Sequence, residues 1–109
     1  MAVRSSRDVI IRTAAWKEAV RFYQSVLGFT LVSGDERIAG LETGAFRLYV
    51  EAGAPHGPVF DFLTADVAAT RDRLLAAGCT LIEEDPAVPR CYLRDPYGVT
   101  FNIGRAPAG

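Results

Sequence analysis

Residues 89–103 read PRCYLRDPYGVTFNI and decide the fold. Asp95-Pro96-Tyr97-Gly98, in the middle of this stretch, is typical of a tight turn, because proline presets φ at the second turn position and glycine tolerates the tight exit. After the turn, side chains alternate between an apolar set (Val99, Phe101, Ile103) and a polar set (Thr100, Asn102, Gly104). The stretch therefore predicts a hairpin whose second strand has an apolar face for a helix to cover. Its polar face, which carries Asn102, is where function is to be sought.

Length and composition bound the class of protein. The chain has 109 residues, of which 50% are hydrophobic, and this predicts a single compact domain over residues 1–109. A formal net charge of −1 argues against a nucleic acid or an anionic membrane surface as partner. No apolar run reaches membrane-spanning length, and residues 1–7 lack the apolar centre of a signal peptide. We therefore expect a cytoplasmic protein that binds neither nucleic acid nor membrane.

Upstream of the hairpin the chain contains a first module, residues 8–51. Asp8 to Thr13 alternates as a strand, and an amphipathic helix with apolar positions at helical spacing follows until Gly28 stops it. Those positions are Trp16, Ala19, Val20, Tyr23, Val26 and Leu27. Three strands come next, at Phe29 to Ser33, at Arg37 to Leu41 as a short edge strand, and at Ala45 to Glu51.

A second module, residues 59–104, repeats this order after a linker over 52–58. Val59 to Leu63 alternates as a strand, and Asp66 is a good N-cap for a helix that Gly78 ends. Cys79 to Glu83 is the next strand, and the hairpin completes the module. Two βαβββ modules in tandem predict an α+β fold in which a cupped mixed sheet has both helices on its outside. The polar faces of four strands then look into the cup.

Two motifs within this repeat carry a resemblance to a known family. They are Phe22-Tyr23-x-x-Val26-Leu27-Gly28-Phe29 and Asp95-Pro96-x-Gly98. Together with the repeat, they make the chain resemble the glyoxalase/bleomycin-resistance/dioxygenase family, also called vicinal oxygen chelate proteins, over nearly its whole length. The resemblance implies a homodimer with cupped sites. It does not choose a reaction, because the family includes lyases, dioxygenases, epimerases, thiol transferases and antibiotic-binding proteins.

In the family's metalloenzymes, four inward side chains from the first and last strand of each half hold one divalent cation. Carried onto this sequence, the resemblance places them at Asp8, Arg47, Val59 and Asn102. Valine offers no lone pair, and arginine is a permanent cation that a metal would repel. We therefore expect neither a metal nor another cofactor. Asp8 and Arg47 are instead expected to form a charge-assisted pair where the metal would lie, the alternative being that both point to solvent.

Other polar residues are candidates for the cup. Asp61 lies on the same face as Val59 and is interpreted as paired to an arginine, a displaced ligand or a general base. Tyr49 and Tyr92 are expected to supply flat walls with a polar tip. If Cys91 and Leu93 lie under the second helix, Tyr92 faces inward together with Arg90 and Arg94. The alternative is that these two arginines lie at the rim of the cup and keep the surface soluble. The predicted ligand-binding set is Asp8, Arg47, Tyr49, Val59, Asp61, Tyr92 and Asn102.

The remaining chemical candidates are few. His56 is the only histidine, and it lies in a predicted loop, so a solvated residue is favoured over an acid/base or metal site. Cys79 and Cys91 are interpreted as small hydrophobes in a reducing cytosol, with a disulfide or redox pair as the alternative.

Three functions remain open. The first is a metal-independent protein that binds a small molecule, sequestering an antibiotic or a metabolite and preferring an anionic ligand through Arg47. The alternative is a family enzyme of the lyase, dioxygenase or isomerase type that has a degenerate or displaced metal site and uses Asp8, Asp61 and Asn102. The third is a scaffold whose cup is filled by its own side chains. The sequence does not name a ligand.

Overall fold

The computed structural model of the chain describes residues 3–107. They contain eight strands and two helices, an α+β composition with parallel and antiparallel strand pairs. In chain order the elements are β1 Arg4–Thr13, α1 Trp16–Ser25, β2 Thr30–Gly34, β3 Ile38–Glu42, β4 Arg47–Ala52, β5 His56–Thr64, α2 Val67–Ala76, β6 Thr80–Asp85, β7 Arg90–Arg94 and β8 Thr100–Arg105. The predicted order of two βαβββ modules is confirmed.

The chain divides into two compact units with the same internal topology. The first unit comprises residues 7–59, and the second comprises residues 60–107 with 3–6. Strands follow the order β2-β3-β4-β1 in the first unit and β6-β7-β8-β5 in the second. In each unit the outer pairs are antiparallel and the last pair, β4 with β1 or β8 with β5, is parallel. A parallel pair needs a long crossover, and here that connection contains the helix.

The prediction of an edge strand at Arg37 to Leu41 was wrong. Strand β3 lies between β2 and β4, and β2 forms the edge of the unit. The turn explains the difference, because Asp35 accepts hydrogen bonds at Oδ1 from the backbone of Arg37 (2.8 Å) and Ile38 (3.2 Å). This tight turn folds β2 back along the outer side of β3.

Strand registers match residue by residue between the two units. An apolar row crosses four strands in each unit: Leu31, Leu41, Leu48 and Val9 in the first, and Leu81, Leu93, Phe101 and Phe60 in the second. A polar row lies next to it: Ser33, Gly40, Tyr49 and Ile10 in the first, and Glu83, Tyr92, Asn102 and Asp61 in the second. Both outer hairpins shift register at the same place, between Leu31 and Ser33 and between Leu81 and Glu83.

Each helix covers one face of its unit's sheet, which we call the helix face; the opposite one is the polar face. In the first unit the core consists of Val20, Ala39, Leu41, Leu48 and Val50. Val26 and Leu27 were predicted to belong to the packed side of α1, and this was wrong. The helix ends at Ser25, and Val26 remains 64% exposed.

In the second unit, Cys91, Leu93, Phe101 and Ile103 form the core, against which Val67 and Leu74 of α2 pack. Cys91 and Leu93 therefore lie under the helix, as the sequence required for Tyr92 to be on the polar face. Asp66 caps α2 as predicted, because its Oδ1 accepts a hydrogen bond of 3.0 Å from the backbone N–H of Ala69. Within residues 3–107 neither helix has the length and apolar character that crossing a membrane requires.

Candidate functional site

Asp8 and Arg47 are neighbours on the polar face of the first unit. They are directly opposite each other in the parallel pair of β1 and β4, and Glu42 of β3 is opposite Arg47 on its other side. The ion pair of Arg47 is with Glu42, at 3.9 Å between Nη2 and Oε1. The predicted pair with Asp8 is thus corrected: two acids flank the guanidinium, which turns toward β3. Asp8 acts on Arg47 through space, since its charge contributes to raising the pKa of Arg47.

Glu42 is bound more closely by a second arginine. Arg7 donates to its Oε2 at 2.9 Å, and the backbone N–H of Gly44 donates to the same oxygen at 2.9 Å. These two hydrogen bonds, with Gly44 the larger cause, hold the pKa of Glu42 below its usual value. Because it is longer, the ion pair of Glu42 with Arg47 is weaker than its ion pair with Arg7.

Tyr49 follows Arg47 by two residues in β4, on the same face of the strand. A hydrogen bond with the Tyr49 side chain is the main cause that raises the pKa of Arg47. The Arg47 side chain remains 37% exposed, and its buried Nε has no hydrogen-bond partner within residues 3–107. Tyr49 lies over Gly40, where an added Cβ would come within 3.0 Å of the ring and would collide with the hydroxyl of Ser33. Gly40 thus makes room for the ring of Tyr49.

Asn102 and Asp61 form the centre of the polar row in the second unit. The Nδ2 of Asn102 donates to Asp61 Oδ1 at 2.9 Å, and its Oδ1 accepts from the backbone N–H of Cys91 at 2.8 Å. The carboxylate of Asp61 is held by this amide rather than by an arginine, which the sequence had suggested. Its Oδ2 accepts no hydrogen bond from the described residues. Asn102 therefore positions one carboxylate oxygen and leaves the other one available.

Tyr92, on β7, is paired with Asn102 of β8, and little of its ring is accessible. It is 3% exposed, and the guanidinium carbon of Arg90 lies 5.2 Å from the centre of the ring. Arg90 also donates to Glu83 at 2.9 Å, so the two residues of β7 and one of β6 form a cation–π and ion-pair group. Arg94 is exposed on the same strand.

The registers show which of the positions that the resemblance assigned to a metal correspond between the two units. Asn102 has the same place in its unit as Tyr49, whereas Arg47 corresponds to Thr100. Asp8 and Val59 correspond, since each directly precedes a residue of the apolar row. The β7–β8 connection, 95–99, and the β3–β4 connection, 43–46, differ in length, so counting from the turn does not give equivalent positions in the two units.

A divalent metal does not fit these side chains. Val59 has no donor atom and is 1% exposed, and the amide of Asn102 is already engaged at both of its polar atoms. Only the carboxylate of Asp8 is a usual ligand for a hard cation. The part of the chain that the structure describes contains no group of three or more His, Cys, Asp or Glu side chains able to hold a metal ion.

His56 and the two cysteines complete the chemical inventory. His56 is the first residue of β5, so its placement in a loop was wrong. Both cysteines, each within the described residues, have free thiols. Burial raises the pKa of the Cys91 thiol, and the carboxylate of Glu84 adds to this effect; burial likewise raises the pKa of Cys79. These thiols are poor nucleophiles at neutral pH.

Two residues of the first unit's site, Arg7 and Glu42, were not found from the sequence. A usable signal existed for Glu42. In an antiparallel pair closed at Gly44, counting outward from the turn places residues 42 and 47 opposite each other. Arg7 gave no such signal, because it reaches Glu42 from the start of β1 through a flexible side chain.

Comparisons with known proteins agree with the fold. A family model described as a glyoxalase-like domain matches residues 8–104. A glyoxalase/bleomycin resistance protein/dioxygenase superfamily member from Vibrio splendidus is 16% identical with a TM-score of 0.63, over 96% of this chain and 98% of that one. Methylmalonyl-CoA epimerase from Mycobacterium tuberculosis is 22% identical with a TM-score of 0.61, over 92% and 87%.

A third similar structure is a variant of homoprotocatechuate 2,3-dioxygenase from B. fuscum. It is 18% identical with a TM-score of 0.68, over 97% of this chain and 33% of the dioxygenase chain. No curated protein sequence matches the chain. At these identities the structural likeness concerns the fold, and the similar proteins include both enzymes and members without a stated reaction.

Proposed function

The chain belongs to the family of glyoxalase-like domains, and from this premise we propose that it binds a small molecule without a metal and acts by sequestering it. The ligand is an antibiotic or a metabolite. The family's fold is compatible with many reactions, so the proposal rests on the side chains of the polar face. These offer hydrogen-bond donors, a phenol and a guanidinium, but a poor set of metal ligands.

The observation that carries the proposal is the incomplete neutralisation of Arg47. Its contact with Glu42, 3.9 Å, is longer than the charge-assisted hydrogen bonds of about 2.7–2.9 Å that such pairs form at full strength. Glu42 gives its shorter contacts to Arg7 and Gly44. A half-exposed guanidinium with donors to spare matches the two oxygens of a carboxylate or phosphate. The favoured ligand is therefore anionic, with the ring of Tyr49 as an apolar contact.

A ligand screen tests this anchor. We would measure thermal shifts of the wild type, Arg47→Ala and Asp8→Asn with small carboxylates, phosphates and cationic aromatic drugs. We expect anions to stabilise the wild type and Asp8→Asn, and phosphates to lose their effect on Arg47→Ala. Stabilisation of the wild type by the cationic drugs, with no effect of any anion, would reject Arg47 as the anchor and move the site to Asp8, Glu51 and Asp61.

Metal analysis tests the other half of the proposal. Protein purified without a histidine tag is expected to contain no stoichiometric divalent metal, because Asp8 is the only good ligand among the corresponding positions. Stoichiometric nickel, zinc, manganese or iron that disappears in Asp8→Asn would overturn it.

A second candidate function follows from the geometry of Asp61. One oxygen of this carboxylate is fixed by Asn102, and the other is left to accept a proton, which is the arrangement of a general base. The corresponding reaction is metal-free proton exchange at an acidic carbon next to a carbonyl group. Incubation in D2O with small acyl thioesters would reveal it. Deuterium incorporation by the wild type that Asp61→Asn abolishes would favour this enzyme over the sequestering protein.

A further inference from the structure

The second unit contains a cavity on its helix face, on the opposite side of the sheet from Asp61 and Asn102. Its volume is about 220 Å³. It lies between the start of α2, the β6–β7 hairpin and the end of β8. The lining residues are Val67, Glu84, Pro86, Pro89, Arg90, Cys91, Ile103, Gly104 and Arg105.

Most of the lining is apolar or already paired. Val67, Pro86, Pro89 and Ile103 supply hydrocarbon walls, and the buried Cys91 supplies a thiol. The carboxylate of Glu84 accepts a hydrogen bond of 2.7 Å from Arg71. The guanidinium of Arg90 is turned to Glu83 and to the ring of Tyr92 on the polar face. An occupant would therefore meet mainly apolar surface inside the cavity.

Arg105 is the exception. It is exposed, and within residues 3–107 its guanidinium has no ion pair or side-chain hydrogen bond. It also lines an adjoining hollow of about 400 Å³ together with Ala65, Asp66, Val67 and Ala68. The nearest acid there, Asp66, has its Oδ1 engaged in capping α2. The cavity thus has an apolar interior with a cation at its rim.

We propose that this cavity is a second ligand site, which takes a small apolar monocarboxylate of about the size of a single ring. An apolar cavity of about 150 Å³ accommodates benzene, so the volume here allows a ring and a carboxylate. The ring lies among the prolines, Val67 and Ile103, and the carboxylate reaches outward to Arg105. Cys91 and Ile103 are on the helix face, so this site is separate from the polar row that carries Tyr92 and Asn102.

Benzoate is a suitable probe, and amide NMR spectra of the full-length protein report where it binds. We expect saturable shifts at Val67, Cys91 and Gly104 with benzoate, and none with benzylamine, whose ring is similar but whose charge is opposite. Arg105→Gln should raise the Kd for benzoate at least about tenfold. The matched control is Arg94→Gln, which removes an exposed arginine outside the cavity and should leave the Kd unchanged.

A second readout uses the thiol in the cavity. In a Cys79→Ser background, Cys91 is the sole cysteine, and benzoate should slow its alkylation in proportion to occupancy. Val67→Phe fills part of the cavity and should abolish the benzoate shifts while the protein stays folded. Absence of saturable shifts, equal binding of benzylamine, or loss of benzoate binding in Arg47→Ala would overturn the proposal. The last result would assign the anion to the polar face of the first unit, so the two proposals fail separately.

Discussion

Arg7 and Arg47 both form an ion pair with Glu42. The more strongly Glu42 pairs with Arg7, the more of the positive charge of Arg47 remains for a ligand. Arg7 lies 2.9 Å from Glu42 and also donates to the backbone carbonyl oxygens of Gly44 and Ala45. These contacts hold it at the β3–β4 turn, where it outcompetes Arg47. A residue with no place in the ligand contact thereby affects the strength of that contact.

The variant Arg7→Gln tests this competition. Without Arg7, Glu42 is released to pair with Arg47, and we expect the affinity of the wild-type anion to fall about threefold to tenfold. Isothermal titration with the best carboxylate from the screen measures it. Arg4→Gln makes the same change in net charge at an exposed position, so equal losses in both variants would point to overall charge instead of Glu42.

Asn102 connects two elements through a single amide. Asn102→Leu keeps the volume and removes both hydrogen bonds, leaving the carboxylate of Asp61 and the backbone N–H of Cys91 without their partner. We expect a loss of about 1–3 kcal/mol in the free energy of unfolding, measured in urea. Thr100→Val removes a polar group from the same strand without breaking these bonds. If Asn102→Leu lowers the free energy of unfolding no more than Thr100→Val does, the two hydrogen bonds of Asn102 do not stabilise the fold.

Because of the Cys91 thiol, we expect the stability of the protein to decrease at alkaline pH. Its pKa is raised in the folded state above the ordinary value of 9.0, so the unfolded chain ionises first as the pH rises. The folded state then holds a proton that the unfolded state has lost. Stability must therefore fall from about pH 9 upward, until the folded pKa is passed, by at most about 1.4 kcal/mol per pH unit. Urea titrations of the wild type should show a steeper alkaline decline than those of Cys91→Val, and parallel curves would refute this.

The helices illustrate how local signals succeed at the level of an element. Asp66 was found from the sequence because capping needs only a short side chain directly before a helix. Asp66→Ala removes the bond to Ala69 and should lower the free energy of unfolding by about 1 kcal/mol. Arg73→Ala, on an exposed part of α2, is the control. Equal effects of the two substitutions on the urea midpoint would show that the cap contributes nothing of its own.

Predictions that depended on counting across loops were less successful than local ones. The hairpin at 89–103 and the alternation of its faces follow from residues within the segment, and the structure confirms them. The residue of the first unit that is equivalent to Asn102 could not be found by counting, because the two connections differ in length; the registers make it Tyr49, two residues after Arg47. The choice between Asp8 and Glu42 as the partner of Arg47 depends on side-chain direction, which no periodicity encodes.

At the scale of the molecule, five exposed apolar residues lie close together in the chain between the second half of α1 and β2. Phe22, Val26, Leu27, Leu31 and Val32 are each about half exposed or more. The last two belong to β2, an edge strand of the first unit with unpaired backbone groups. Exposed apolar side chains of this kind are typical of an interface, and we propose that a second copy of the chain covers them.

Light scattering across micromolar concentrations tests the homodimer. We expect the mass of a dimer for the wild type and of a folded monomer for Val26→Asp, because Val26 is the most exposed of these residues and a carboxylate there would be buried in the interface without a partner. Tyr97→Asp changes an equally exposed aromatic residue in the β7–β8 turn and should remain dimeric. A monomeric wild type would refute the proposal, and a monomeric Tyr97→Asp would move the interface to the other unit.

The apolar rows of the two units have similar residues at equivalent positions, whereas their polar rows have different ones. Leu31 and Leu41 of the first unit correspond to Leu81 and Leu93 of the second, whereas the adjacent row has tyrosine in one unit and asparagine in the other at equivalent places. Substitutions in the first kind of row disturb packing under a helix, and substitutions in the second kind act on the opposite face. Single substitutions on the polar face can therefore change the ligand preference while the backbone stays the same. In such a chain, architecture and chemistry are inherited separately.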